Sequence, residues 1–309
     1  MCKRSSNDVI VGDDVISKAS FAHAEAHLTV FHEPRVRAAG NRRRMLLGIL
    51  LAAFVLLAVA VAGNLVSGAA VSTDFTAKNL APSLAHPFGT DWMGRDMLFR
   101  TMAGLSTSIF VGLLAAVASS LIALALAGVA AFGGPKADAV VSWLIDLVMG
   151  IPHIVLLILI SYALGKGFWG VTVGVALTHW PSLTRVLRAE ILQCREQPFV
   201  SVSAHLGVSR ARLVLDHMLP YVFPQLVVGL VLMFPHAILH EASITFLGFG
   251  LSPDQPAIGV ILSESMSYLS AGMWWLAVFP GIALVVCVVL FGRLGDLARR
   301  LSDARTVQE

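Results

Sequence analysis

The chain has 309 residues, of which 57% are hydrophobic and 13% charged, with a mean hydropathy of +0.79. Soluble domains carry about 25% charged residues, so a water-soluble globular class is excluded and lipid is the expected solvent for most of the chain. The net charge of +3 comes from basic residues that follow membrane topology, which removes nucleic acid from the partners. Cys2, Cys194 and Cys287 lie far apart and match neither a disulfide framework nor a zinc-ligand spacing.

Residues 1–44 are polar and hold His23, His27 and His32 at irregular intervals. They read as a flexible cytoplasmic tail rather than a metal sensor. The first apolar run starts at residue 45, is too long for a signal-peptide core, and is expected to stay as a membrane anchor over 45–67. An external segment, 68–100, follows. Residues 101–298 make a core of five further transmembrane helices with a cytoplasmic coupling loop at 188–217, and 299–309 form a second cytoplasmic tail. The apolar runs behind this division are 45–73, 101–135, 147–165, 167–184, 218–233 and 265–292, against the roughly 20 residues that a bilayer requires. The expected fold is therefore an all-α integral membrane protein of six transmembrane helices.

Orientation follows from charge. Only Lys78, Arg95, Arg100 and Lys166 fall on the outer side of this scheme, leaving 18 of the 22 basic residues inside. The positive-inside rule then places both termini in the cytoplasm. Helix two ends at Phe132-Gly133-Gly134-Pro135, a run of helix breakers. Helix three carries Asp146 near its start and a kink at Gly150-Ile151-Pro152, where His153 is expected to satisfy the carbonyl that the proline frees. Helix four contains His179-Trp180-Pro181, and its Arg185 is a candidate partner for Asp146. In the inside loop, Pro198 to Leu206 reads as a short helix closed by Gly207 in the left-handed C-cap position, a shape suited to docking. Helix five, about 221–247, carries His236, His240 and Glu241. The outer stretch 250–272 holds Pro253 and Pro256, and helix six runs over 274–291.

These residues resemble one family, the oligopeptide, dipeptide and nickel permeases of ABC importers. The outer His86-Pro87-Phe88-Gly89-Thr90-Asp91 followed by Gly94-Arg95-Asp96 is similar to a segment of one of that family's two permease subunits. Gly207 with Leu219-Pro220 twelve residues later resembles the loop that seats such permeases on their ATPases. Ser201, Val202, Ser203 and His217 replace the usual Glu, Ala, Ala and Ile. Glu241 to Gly250 completes the likeness. The resemblance implies a type I ABC importer permease fold in the plasma (inner) membrane. Its expected partners are a second permease, two ATP-binding subunits and an extracytoplasmic solute-binding protein. The chain has no Gly-x-x-x-x-Gly-Lys-Ser/Thr loop, so it is not expected to be an enzyme, to hydrolyse ATP itself or to bind a cofactor. On this reading Ser201, His205, Gly207, Leu219 and Pro220 dock the ATPase, and His86, Asp91, Arg95 and Asp96 face the binding protein.

Ionisable groups inside a membrane are functional candidates. His236 and His240 share one helical face, a spacing that suits two imidazoles near a metal ion, with His179 opposite and Glu241 rotated about 100 degrees from His240. His179, His236, His240 and Glu241 are therefore the expected substrate path, with His236 and His240 in transient contact with metal. The histidine pair resembles the nickel branch more than the peptide branch. Nickel or a related transition metal, free or chelated, is the expected cargo and a di- or oligopeptide the alternative. A packing role, worth about 0.6–2 kcal/mol per contact in membranes, stays open for the same side chains. A metalloprotease would need His-Glu-x-x-His, and residue 237 is Ala. A secondary transporter would show two matching halves, and none is seen.

Overall fold

The computed structural model describes residues 38–209 and 212–302. The histidines of the amino-terminal tail, Arg210 of the coupling loop and the last residues of the carboxy-terminal tail lie outside the described residues. The described chain is helical apart from its connecting segments, the longest of them 72–96, which holds one isolated bridge between Thr90 and Asp96. In order the helices are α1 (Ala38–Leu65), α2 (Ser67–Val71), α3 (Met97–Phe132), α4 (Gly134–Gly150), α5 (His153–Ala163), α6 (Gly167–Arg195), α7 (Pro198–His205), α8 (Leu219–Phe246), α9 (Ile258–Leu269) and α10 (Trp275–Ser302). A 3₁₀ turn, Phe75–Ala77, precedes α3, and a π-helical turn, Leu213–Met218, leads into α8.

Four helices are long and apolar enough to cross a membrane: Arg42–Leu65, Met97–Phe132, Leu213–Phe246 and Trp275–Leu301. A fifth crossing results if α4 and α5, bent by 95° at their junction, act as one broken span. The expected six are thus not reached on length and composition. Helix α6, at 29 residues, has the length. Its Thr172, Thr178, His179, Ser182 and Thr184 dilute its apolar character, and most of these are buried inside the bundle and away from lipid.

Helix α3 is the centre of the bundle and packs against α1, α6 and α8. Its buried face is built from small residues, Gly104, Ser108, Gly112, Ala115, Ala116, Ser119, Ala123 and Ala127, which let neighbouring backbones approach where no hydrophobic effect drives helices together. Helix α1 instead exposes Leu47, Leu50, Leu51, Phe54 and Leu57, the pattern of a lipid-facing helix. Asp96 caps α3, accepting from the backbone N–H groups of Leu98 at 2.8 Å and Phe99 at 3.3 Å, and supplies the oxygen acceptor that the first turn lacks.

Three boundaries differ from expectation for physical reasons. The third helix starts at Gly134, because Pro135 sits where a helix needs no amide donor. Pro152 does more than kink it: Ile151 is extended, with φ −91° and ψ 136°, as a residue before proline prefers, and the helix breaks. The outer stretch 250–272 contains α9, whose Ile258, Val260 and Ile261 are buried, so part of that stretch belongs to the core. The expected short helix in the inside loop is α7, and Gly207 follows it at φ +83°, a left-handed conformation that costs other residues about 1 kcal/mol or more.

Candidate functional site

At the end of the bundle where α3 begins, four charged side chains close on one another. Arg95 Nε donates to Asp91 Oδ2 at 2.6 Å, Arg100 Nη1 reaches the same oxygen at 3.0 Å, and both guanidinium groups meet Glu264 Oε2 of α9, at 3.3 and 2.7 Å. Asp91 Oδ1 also accepts from the backbone N–H groups of Met93 and Arg95 at 2.9 Å. Asp91 and Arg100 are each 3% exposed and Arg95 9%. Asp91 and Arg95, expected to face a binding protein, are turned inward in this chain and fasten the segment to α9. His86 and Asp96, paired at 2.7 Å, remain partly exposed. Arg100 and Glu264 were not singled out from the sequence, although charges inside or beside apolar runs are themselves a signal. Nearby, hydrogen bonds from the Thr76 hydroxyl and backbone hold the exposed Asp74 carboxyl below its usual range. Gly94, at φ +75°, passes so close to the Asp74 carbonyl that a Cβ there would collide with it.

Glu241 is fully buried and accepts from Thr245 Oγ1 at 3.0 Å, while the Leu251 N–H donates to that same hydroxyl at 3.2 Å. Glu241 therefore pins the turn after α8, and the residues that line the cavity described next do not include it. Its second oxygen has no hydrogen-bond partner, and Ser108 of α3 is beside it.

A cavity of about 840 Å³ opens between α4, α5, α6 and α8, lined by Gly150, Pro152, His153, Thr178, His179, Ser182, Gln225, His236 and His240 among others, with Arg299 of α10. Along α8 the lining runs from Gln225 to His240, about 22 Å at 1.5 Å per residue. The break between α4 and α5 forms part of its wall, and irregular backbone at membrane depth is tolerated only where it is buried or lines a cavity.

At that break three imidazoles converge from three helices: His153 of α5, His179 of α6 and His240 of α8. Their ring centroids are 4.6, 4.3 and 5.0 Å apart, all edge to face. His179 Nδ1 lies 2.9 Å from the Val175 carbonyl. A carbonyl oxygen only accepts, so Nδ1 carries the proton and Nε2 the lone pair. His153 Nδ1 is buried without a hydrogen-bond partner, which corrects the expectation that this side chain satisfies a carbonyl freed by Pro152. The expected metal pair, His236 and His240, is divided: His240 joins the cluster, while His236 lines the cavity one turn away and is exposed. His153 was missed as a site residue because spacing along one helix carries no information about a third helix. Its position beside a helix break was the available signal.

At the opposite end of the bundle from Asp91, α7 and the π-helical turn pack through Cys194, Val200, Leu213 and Met218. Ser201, His205, Gly207 and Pro220 are exposed and Leu219 half-buried. His205 Nδ1 donates to the Ser201 carbonyl at 2.7 Å. Phe199, Val202 and Leu206 project outward as an apolar surface, Leu206 being 80% exposed. Arg185 and Asp146 form the expected pair, at 2.6 Å, and Arg188 makes a two-pronged pair with Asp138.

The described residues thus form an all-helical bundle with apolar spans, a short helix on the loop between α6 and α8, and a cavity beside a broken helix, and this bundle matches a known family. The match is specific. The binding-protein-dependent transport system inner membrane component family covers residues 119–308, and the chain belongs to that family. It is 37% identical over 233 residues to a protein of Brucella suis biovar 1 (strain 1330) named as a peptide permease, covering 75% of this chain and 77% of the relative. It is 31% identical over 226 residues to the dipeptide transport system permease protein DppC of Bacillus subtilis (strain 168), covering 73% and 71%. Its fold is similar to that in the crystal structure of an amino acid ABC transporter with histidines, with a TM-score of 0.52 at 18% identity over 65% of this chain and 94% of the other. The MetNI methionine ABC transporter, in inward-facing conformations, gives a TM-score of 0.52 at 18% identity over 67% and 98%.

Proposed function

We propose that this chain is one of two permease subunits in an ATP-driven, binding-protein-dependent importer of peptides, placed in the inner membrane with both termini in the cytoplasm. The cavity at the α4–α5 break is the observation that carries the transport reading. Its polar groups come from α5, α6, α8 and α10, and a second permease completes the path beside them. The names of the relatives support peptide as cargo in place of the nickel expected from the histidine pair. The apolar tip of α7, with Ser201, His205, Gly207, Leu219 and Pro220 around it, is the surface for an ATP-binding subunit. His86 and Asp96, with the exposed Leu84 and Trp92 beside them, are the surface for a solute-binding protein. ATP closure moves α7, and the helices it joins shift the cavity between two access states that cargo and nucleotide bias differently.

Transition-metal cargo is a second reading, favoured by the convergence of His153, His179 and His240. Uptake of a labelled dipeptide and of radioactive nickel, in cells carrying the complete transporter and matched for membrane level, separates them. Dipeptide uptake without nickel uptake is expected; nickel uptake without dipeptide uptake would reverse the assignment.

A further inference from the structure

We propose that His153, His179 and His240 form a binding site for a divalent transition-metal ion at the break between α4 and α5, whichever cargo the importer carries. One nitrogen from each side chain lies within 4.8 Å of the other two. Three imidazoles around an ion at about 2.1 Å place their nitrogens about 3.4 Å apart in tetrahedral geometry. Holding an ion therefore draws the three nitrogens together by up to about 1.4 Å.

Two features of the cluster are those of a ligand set more than of a packed core. His179 donates its Nδ1 proton to the Val175 carbonyl, the outer hydrogen bond by which metal-binding histidines fix tautomer and ring orientation, and Nε2 is left as the donor atom. His153 Nδ1 is buried without a hydrogen-bond partner, where buried polar atoms ordinarily have one. No carboxylate belongs to the cluster, so the donor set is imidazole alone. Imidazole suits zinc, copper and nickel, whereas magnesium and calcium take oxygen ligands. Three protein ligands leave a fourth position open toward the cavity, available to water or to an amine or carboxylate of cargo. An ion held there ties α5 to α6 and α8 across the broken span.

The test uses the complete transporter purified without a polyhistidine tag and Co²⁺ as probe, followed by equilibrium dialysis and by the visible absorption of the bound ion. One Co²⁺ per copy of this chain is expected, with affinity at least about tenfold weaker in each of His153→Ala, His179→Ala and His240→Ala and unchanged in His236→Ala. Equal Co²⁺ binding by parent and the three variants overturns the site, as does a loss confined to His236→Ala. A second measurement needs no variant: the electron paramagnetic resonance spectrum of Cu²⁺ added to the parent should show coupling to several imidazole nitrogens, and an oxygen-only spectrum overturns the proposal. Neither readout involves transport, so absence of dipeptide uptake would sink the cargo assignment and leave this one standing.

Discussion

At one end of the bundle the buried Asp91, Arg95 and Arg100 and the partly exposed Glu264 pair their charges, each carboxylate meeting both guanidinium groups and Asp91 two backbone amides as well. Midway along the bundle His153, His179 and His240 also meet, yet they meet as like groups, with His153 Nδ1 unpaired and a cavity alongside. Both clusters consist of residues that are costly in a membrane protein. The first is internally satisfied and fastens a loop to a helix; the second keeps donor atoms that only a ligand or water can use. Satisfaction of hydrogen-bonding capacity, more than the mere presence of ionisable groups, separates a fastening from a site.

The largest effect that tests this contrast is expected from Arg100→Ala. It leaves the buried Asp91 and the partly exposed Glu264 sharing one remaining guanidinium, and removing one partner of a buried pair costs about 3–5 kcal/mol. Thermal denaturation of the purified complex should show that loss together with low membrane levels, and unchanged stability would mean the network is not a fastening. Glu241→Ala comes next, at about 1–3 kcal/mol for leaving the Thr245 hydroxyl and its surroundings unpaired, while Glu241→Gln retains an acceptor and should lie near the parent. If instead Glu241→Gln folds normally and abolishes uptake, Glu241 acts on cargo after all. Gly207→Ala should cost about 1 kcal/mol through its left-handed backbone and should lower substrate-stimulated ATPase activity of the complex more than its stability. The smallest change is expected from Arg185→Ala: Arg185 and Asp146 are 51% and 68% exposed, and such pairs contribute less than about 1 kcal/mol. A loss in melting temperature as large as that of Arg100→Ala would show that exposure does not rank these pairs.

Much of the bundle was legible in the residues themselves. Long uncharged runs set the helices, Gly133-Gly134-Pro135 set one of their ends, Gly150-Ile151-Pro152 marked a kink where the structure has a full break, and Gly207 marked the C-cap of the short loop helix. These are local properties, governed by backbone sterics and by transfer to lipid, which act on residues close in sequence. The number of spans was less legible, because α6 buries its polar face inside the protein and so falls short of the apolar character that a lipid-facing helix shows.

The site itself was half visible. His179 and His240 stood out as ionisable residues in apolar helices, but the i, i+4 spacing of His236 and His240 gives only a shared face of one helix. Which side chains meet them depends on the 95° bend that swings His153 inward and on the packing of α5, α6 and α8. In the same way, Glu264 reaches Arg95 across 169 positions of sequence. Sequence alone determined a helical membrane protein and its short loop helix with the glycine that ends it, because those follow from local chemistry. Tertiary structure decided which histidines converge and which charges cancel, because contacts between distant helices depend on the geometry of the whole bundle.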